Sequence, residues 1–298
     1  MANSYFIVEA YKGLGTAFWI ELFLDENEKA TLPEEKIRNH LEATITDFGA
    51  RYSRFSESSF LSQLNREKSV PYDHDLAVMV QCAQKVSQAT NNTFSLFIKE
   101  KLEAKGYGTQ NNTAVHDDSE EASDVVIDSS SIKLLGNRGI DLGGVGKGHL
   151  IDKLASILRD DYHLSYFLIN GGGDIYVTSN HGKDVELLLE HPINEGDYIN
   201  KIVLKNKAFC ASSSFKRSWK KGSTQVNHFI ADKEIWAASY VIGNTATMAD
   251  MYATVFCILA DTPSSLERFA KDNTLDYIVI NERGTMTKSD NFPPFLEG

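Results

Sequence analysis

The alternation of apolar and polar residues predicts a β-hairpin at each end of the chain. Apolar residues alternate with polar ones over residues 5–9 and 17–24, on either side of a glycine-containing turn at 12–15. That period of two is typical of half-buried strands. Residues 277–281 and 285–288 flank a second turn at 282–284. Both ends of the chain are therefore expected to form antiparallel pairs of strands.

Helical spacing predicts helices between these hairpins. Thr31 and Glu34 have capping-box spacing, Pro33 suits a first turn, and the next apolar residues share one face, at Ile37, Leu41, Ile45 and Phe48. Further helices are expected over 75–89, from about 150 to 158 and over 248–260. Strands are expected over 166–170, 174–177 and 185–190, and near 201–210 and 228–230. This order favours an α+β fold of antiparallel sheets with packed helices, rather than a doubly wound parallel sheet.

The length of the chain is compatible with one large domain or two subdomains. Its 298 residues are 42% hydrophobic, which is enough to fill a sizeable core. Residues 105–131 are polar and rich in Gly, Asn, Asp and Ser, which predicts a long surface connection with one strand at 125–127. We predict a single domain over residues 1–298, and any division into subdomains is expected near 105–131.

Charge and targeting signals restrict the partners. The formal charge is −11, and the longest basic clusters are the pairs at 216–217 and 220–221, which argues against a nucleic-acid partner. A ligand that carries phosphate therefore needs a local pocket. No apolar run has membrane-spanning length, and residues 1–10 lack signal-peptide features. We predict a cytoplasmic protein as the sequence stands, or an exported or membrane-anchored one if a signal peptide has been lost.

The segment that carries most chemical information is DLGGVGKG at residues 141–148, which leads into a predicted helix. Glycines allow backbone N–H groups to approach a phosphate, a helix N-terminus adds positive potential, and Lys147 adds a full charge. A P-loop is disfavoured, because Gly148 stands where a P-loop has its magnesium-binding Ser or Thr. Taken alone, the segment is either a diphosphate cradle or a structural glycine turn.

This segment resembles the D-L-[SG]-x-[IV]-[AG]-K-G-Y-x-x-D signature of the ApbE family of Mg-dependent FAD:protein FMN transferases. The matching residues are Asp141, Gly144, Lys147, Gly148 and Asp152, whereas His149 replaces the usual aromatic residue. Further segments on both sides of it, from residue 15 to residue 254, match the family's motifs in the same order. The resemblance implies an ApbE-like fold, which is related to the T-fold.

Three upstream segments also resemble the family. Residues 14–16 resemble Met-Gly-Thr, residues 53–55 resemble Ser-Thr-Tyr, and residues 93–95 take the place of Ala-Phe-Asp. Residues 168–175 resemble the V-N-x-G-G-[DE]-[IV] turn. By this resemblance, FAD contacts Leu14, Phe55, Thr93, Phe94, Ser95, Asp141, Lys147 and Ile230.

A candidate magnesium site lies in residues 245–254, which read TATMADMYAT and resemble T-A-x-x-A-D-x-x-[AS]-T. Asp250 and Thr254 are four residues apart and project from one face of a helix. Carboxylate, hydroxyl and carbonyl oxygens suit Mg²⁺, and the resemblance adds the carbonyl of Gly144. Without the resemblance, a solvated or N-capping role is the alternative for this pair.

The candidate catalytic residue is His228, in a segment that departs from the family pattern. Residues 228–232 read HFIAD, against H-x-I-[DN]-P-x-T-G in the family. Ala231 and Asp232 replace the Asp or Asn and the Pro, and the Thr-Gly pair is missing. The resemblance implies that His228 acts as a general base or orients the acceptor. An ordinary histidine in a strand is the alternative.

The resemblance implies that FMN is transferred from FAD to a Thr or Ser hydroxyl of an acceptor protein, with release of AMP. FAD and Mg²⁺ would then be substrate and cofactor, and the partner would be an unidentified flavin-accepting protein. Two alternatives remain open. One is an FAD pyrophosphatase that gives FMN and AMP, and the other is a non-catalytic flavin-binding protein in which the segment at 228–232 has decayed.

Overall fold

The structure is a computed structural model that describes residues 4–107, 124–179, 184–194, 196–215, 218–221, 224–231 and 235–292, with only the backbone described for 4–13, 218–221 and 224–225. The helices are α1 (Glu26–Thr31), α2 (Glu34–Tyr52), α3 (Phe60–Glu67), α4 (His74–Ala89), α5 (Lys99–Ala104), α6 (Gly146–Ser156), α7 (Ala246–Ile258) and α8 (Pro263–Asn273). A π-helical turn at Ile157–Asp161 extends α6.

The strands are β1 (Ser4–Gly13), β2 (Thr16–Leu24), β3 (Ser69–Pro71), β4 (Asp124–Ile127), β5 (Ser131–Leu135), β6 (Tyr166–Gly171), β7 (Asp174–Ser179), β8 (Val185–Glu190), β9 (Tyr198–Leu204), β10 (Lys207–Ser213), β11 (Ser218–Lys221), β12 (Thr224–Asn227), β13 (Ala237–Gly243), β14 (Asp276–Asn281) and β15 (Met286–Lys288). The largest sheet has eight strands in the order β1-β2-β6-β7-β10-β13-β14-β15. Neighbouring strands in it are antiparallel. This architecture confirms the α+β prediction.

Both predicted hairpins are confirmed, and they form the two opposite edges of the large sheet. The β1–β2 turn places Leu14 and Gly15 at φ 51° and 75°, and the β14–β15 hairpin lies at the other edge. Each hairpin was predictable because its strands are close in the sequence. The order of the strands between them depends on contacts between distant segments.

The large sheet separates two apolar layers. Phe167 and Ile169 of β6 pack with the main core, which also contains buried residues of α2, α6 and α7. Leu168 points to the opposite face, where it packs with residues of the β8–β9 ribbon such as Leu189 and Ile202. This alternation follows from the period of two in a strand. The helices thus cover one face and the ribbon covers part of the other.

The first predicted helix is correct in its buried face but wrong at its start. The predicted apolar stripe on α2 is buried. Thr31, however, is the last residue of α1. The capping box belongs to α1 instead, where Asp25 accepts hydrogen bonds from the amides of Asn27 and Glu28, each at 2.8 Å. Pro33 precedes α2 without a side-chain cap.

Two predicted strands need correction. The run at 201–210 is interrupted at Asn206, which has φ 50°, so it divides into β9 and β10. Residues 228–230 follow β12 in irregular conformation, because Asn227 Oδ1 accepts from the Phe229 amide at 3.0 Å and turns the chain. The predicted strand at 125–127 is confirmed as β4. Residues 108–123 of the predicted connection lie outside the described residues, and the single domain stays a prediction.

Among the residues that the structure describes, every helix is too short or too polar to span a lipid bilayer.

Candidate active site

Two adjoining cavities lie beside the N-terminus of α6. The smaller has a volume of about 270 Å³ and the larger about 1020 Å³. Tyr107, Asp141, Gly143 and Lys147 line both of them. The glycine-rich segment therefore forms the wall between two spaces, and a long ligand could contact it from both sides.

Every residue that the sequence predicted for the site lines one cavity or both. The smaller cavity is lined by Thr93, Phe94, Ser95, Asp141, Gly144, Lys147, His228, Ile230, Asp250 and Thr254. The larger one is lined by Leu14, Phe55, Asp141 and Lys147. The structure thus brings these residues together, whereas their roles stay predictions.

The N-termini of α6 and α7 are held together by each other's carboxylates. Asp250 Oδ2 on α7 accepts from the Gly148 amide of α6 at 3.0 Å. Asp152 on α6 accepts from the amides of Ala246 and Thr247, each at 2.8 Å. Burial raises the pKa of Asp152, while these hydrogen bonds oppose the shift. The reciprocal pairs satisfy amides that a helix start otherwise leaves unpaired.

This close approach explains why residue 148 is a glycine. A Cβ atom on Gly148 would lie 2.4 Å from the carbonyl oxygen of Ala246. That distance is far below van der Waals contact, so any other residue would force α6 and α7 apart. Helix α6 already begins at Gly146, so Lys147 lies within its first turn.

Lys147 is the cation at the centre of the site. Its ammonium group contacts the Asp174 carboxylate and lies 3.7 Å from Asp250 Oδ1. Asp174 and Asp250 are only 1% and 4% exposed, and Asp174 Oδ1 also accepts from the Ala211 amide at 2.9 Å. Two buried carboxylates thus share one lysine. The cluster of two carboxylates and one ammonium group has a net negative charge, which favours a further cation.

Thr254 lies one helical turn after Asp250. Its hydroxyl is 3.4 Å from Ser212 Oγ, and a Cβ atom on Gly144 would lie 3.9 Å from it. The N-cap of α7 is Thr245, and Asp250 is buried, so the solvated alternative for Asp250 is wrong. Its hydrogen bond with the N-terminus of α6 is a capping contact, so the N-capping alternative stays open beside the metal role. The oxygen atoms in this region are of the kind that Mg²⁺ prefers.

Acidic and imidazole side chains alone do not form a metal site here. Among the described residues, no three His, Cys, Asp or Glu side chains are grouped closely enough to hold an ion. A metal in this region therefore needs hydroxyl, carbonyl or ligand oxygens beside the carboxylates. That mixed oxygen set suits an ion that also binds phosphate.

Two residues of the site, Arg54 and Asp174, were not predicted from the sequence. Arg54 is buried, with Nε 2.5 Å from Asp141 Oδ2 and Nη2 donating to the Tyr107 carbonyl at 2.9 Å. Its guanidinium carbon lies 4.4 Å from the centre of the Phe55 ring. Asp174 could have been found at the acidic position of the 168–175 motif. Arg54 lies where the family pattern has a Thr, so the resemblance gave no signal for it.

His228 lies in the wall of the smaller cavity, next to Phe229. Its side chain is half-buried, whereas Phe229 is 2% exposed. The irregular conformation of residues 228–230 shows that His228 does not lie in a strand, whereas its catalytic role stays a prediction. Asp232, which replaces the family proline, lies outside the described residues.

The model of the ApbE family matches residues 14–279 of this chain. The chain belongs to the ApbE family. A curated relative from Haemophilus influenzae, named FAD:protein FMN transferase, is 21% identical over 309 residues, which cover 94% of this chain and 88% of that protein.

Solved ApbE structures share the fold along nearly the whole chain. The crystal structure of the ApbE protein from Thermotoga maritima has a TM-score of 0.82 and 19% identity, and the match covers 97% of this chain and 98% of that one. The flavin transferase ApbE from Vibrio cholerae has a TM-score of 0.79 and 16% identity, with 99% and 100% covered. The expected ApbE-like fold is thus confirmed.

Proposed function

We propose that this ApbE protein transfers FMN from FAD to a Thr or Ser hydroxyl of an acceptor protein and releases AMP. Membership of the family makes the protein a transferase. The observation that carries the proposal is the position of Lys147, which lies on the wall between two cavities and between two buried carboxylates. This is where a ligand that fills both cavities would place its central diphosphate.

FAD suits this arrangement in both shape and charge. Its two ends are aromatic and its middle is anionic, so each end would occupy one cavity. The larger cavity offers apolar contacts from Leu14 and Phe55, and the smaller one offers Phe94 and Ile230. Lys147 would turn from its carboxylates toward the diphosphate, as expected of a charge-assisted hydrogen bond.

Magnesium fits the oxygen atoms of this site. The residues that would hold it are Asp250, Thr254 and the carbonyl of Gly144, together with phosphate oxygens of FAD. Bound there, Mg²⁺ would neutralise charge on the phosphoryl oxygens during transfer. The excess of buried carboxylate around Lys147 supports a second cation at this place.

The chain's own residues would orient the acceptor and handle its proton. The acceptor hydroxyl oxygen forms a bond to the FMN phosphorus, and the bond from that phosphorus to the bridging oxygen breaks, so that AMP leaves with the bridging oxygen. His228 would take the hydroxyl proton as a general base. Lys147 would stabilise negative charge that develops on the diphosphate.

The proposal is tested by the products formed from FAD. The protein is incubated with FAD, MgCl₂ and a pool of synthetic peptides that each contain one Thr or one Ser, and the products are analysed by mass spectrometry and chromatography. We expect peptide-bound FMN and AMP, which both disappear when EDTA replaces magnesium. Free FMN and AMP would favour a pyrophosphatase, and intact bound FAD would favour a flavin-binding protein.

A further inference from the structure

We propose that Lys105 is a positioning residue that holds the His228 segment in place beside the smaller cavity. Its ammonium group donates to the carbonyl oxygen of Phe229 at 2.8 Å and to that of Asn227 at 3.4 Å. These two carbonyls belong to the residues on either side of His228. The inference rests on the proposed function, in which His228 acts on the acceptor hydroxyl.

Lys105 is well placed for this role because its own backbone is fixed. It follows the last residue of α5, where the Gly106 amide donates to the Glu103 carbonyl at 2.8 Å and the Tyr107 amide to the Leu102 carbonyl at 2.9 Å. Gly106 has φ 85°, so this is the paired closure typical of helix C-termini. Leu102 is 3% exposed and anchors α5 in the interior.

The segment that Lys105 holds begins where β12 ends, at Asn227. Residues 228–230 are irregular and pair with no strand in the part of the chain that the structure describes. Asn227, which is fully buried, turns the chain by accepting from the Phe229 amide, and its Nδ2 donates to the Ile235 carbonyl at 2.7 Å. The carbonyls of residues 227 and 229 both accept from Lys105, which belongs to a distant part of the chain. A cationic donor makes such bonds about twice as strong as neutral ones.

Both segments that this cross-link joins contribute residues to the same cavity. Leu102 and Tyr107, on either side of Lys105, line the smaller cavity, as do His228, Phe229 and Ile230. Removing the ammonium group would free the peptide groups on both sides of His228. The imidazole would then lose its fixed position, whereas the groups around Lys147 would keep theirs.

The inference predicts a defect in transfer without a defect in FAD binding. Lys105→Met should lower the rate of peptide flavinylation at saturating FAD about tenfold or more, and the Kd for FAD should change less than about threefold. Lys105→Arg, which keeps the cationic donors, should recover much of that rate. Lys101→Met is the matched control, since Lys101 lies with an exposed side chain on α5, which Lys105 directly follows, and its loss should leave the rate unchanged.

A double-mutant cycle separates positioning from a general structural role. If Lys105 acts through His228, Lys105→Met should lower the rate by less than about twofold when His228 is already Asn. An unchanged rate for Lys105→Met in the parent, or an equal loss with and without His228, would overturn the inference. If Lys105→Met does not fold, Lys105→Gln replaces it in the cycle.

A second measurement keeps the inference testable if the proposed function fails. Should the parent form no peptide-bound FMN, the reaction of His228 with diethyl pyrocarbonate is followed by mass spectrometry, with exposed His40 as the internal reference. Lys105→Met should then change the ratio of the two rates, and Lys101→Met should not. An unchanged ratio in Lys105→Met would overturn the inference without reference to activity.

Discussion

At the scale of single residues, the Asp250 carboxylate has two neighbours, one at each of its oxygen atoms. Oδ2 accepts from the Gly148 amide, and Oδ1 faces Lys147 at 3.7 Å. Oδ1, which accepts no amide here, is therefore the oxygen atom better placed for a metal ion. An Asn at this position would keep an acceptor for the Gly148 amide but would lose the negative charge, so it separates the metal role from the structural one.

We therefore expect Asp250→Asn to lower magnesium-dependent transfer at least about a hundredfold, since even indirect partners of a metal often contribute tenfold to a hundredfold. Its thermal unfolding should stay close to that of the parent. The matched control is Asp272→Asn, which changes an exposed carboxylate on α8 and should leave activity intact. If Asp250→Asn transfers FMN normally at the same magnesium concentration, Asp250 is not a metal ligand.

At this scale, the sequence motifs located residues that line the cavities but not the partners of those residues. All twelve predicted site residues line the cavities because each belongs to a short motif that could be recognised locally. The contact of Arg54 with Asp141 joins distant parts of the chain, and no local pattern encodes it. Lys105 was missed for the same reason, since its acceptors are carbonyl groups of residues 227 and 229.

At the scale of elements, the contact between α6 and α7 determines the shape of the site. It places Lys147 next to Asp250, and it depends on a glycine at position 148. Gly146, in the same turn, has more room, because a Cβ atom there would lie 3.8 Å from its nearest neighbour, the Cβ of Leu142. Alanine at Gly146 is therefore a matched control for alanine at Gly148, because both glycines lie in one helical turn and only the second is closely packed.

Gly148→Ala should destabilise the protein by about 1–3 kcal/mol, the usual range for overpacking. Gly146→Ala should leave the free energy of unfolding within about 1 kcal/mol of the parent, because alanine favours the helix and the space is adequate. Both values come from urea unfolding. Equal stability of the two variants would show that the helices are not in close contact at Gly148.

The contact between α4 and α6 makes stability depend on pH. Asp75 Oδ1 lies 3.0 Å from His149 Nε2, and Oδ2 lies 2.5 Å from Lys153 Nζ. The hydrogen bond with His149, followed by that with Lys153, holds the pKa of Asp75 well below its usual range, although burial opposes the shift. A lowered pKa adds stability above the unfolded pKa of about 3.9, and this stability is lost as the pH falls toward the folded value.

Asp75→Asn should accordingly lower the free energy of unfolding at pH 7 by about 1–2 kcal/mol, a modest value because the side chain is partly exposed. The difference from the parent should shrink as the pH falls below about 4. Denaturant unfolding across this range measures both, with the exposed Asp47→Asn as control. A difference that stays constant down to pH 2 would contradict the assigned ionisation of Asp75.

Helices and strands with apolar residues on one face only were predicted well. An element that is apolar on all sides was missed. All of β13 is buried, because it lies inside the large sheet with both faces covered. It therefore shows no alternation between apolar and polar residues. The capping box was placed one helix too late because Asp25 and Glu28 have the same spacing as Thr31 and Glu34.

At the scale of the whole molecule, a formal charge of −11 disfavours an anionic ligand unless local cations offset it. The two cavities meet at Lys147, so a ligand with two phosphates gains more there than a ligand with one. FAD should therefore bind at least about tenfold more tightly than FMN in the presence of magnesium. Fluorescence titration measures both affinities, and equal or tighter binding of FMN would argue against a diphosphate at Lys147.

The central claim is that a Thr or Ser hydroxyl, rather than water, attacks the FMN phosphorus of FAD. The most direct test is to run the reaction with FAD, magnesium and the peptide acceptor in water enriched in ¹⁸O, and to determine the masses of AMP and of the flavin product. We predict unlabelled AMP and unlabelled peptide-bound FMN. AMP keeps the bridging oxygen of FAD, and the new bond to the FMN phosphorus is formed by the hydroxyl oxygen of the peptide. Solvent ¹⁸O in FMN or in AMP would show that water is the nucleophile and would contradict the transfer.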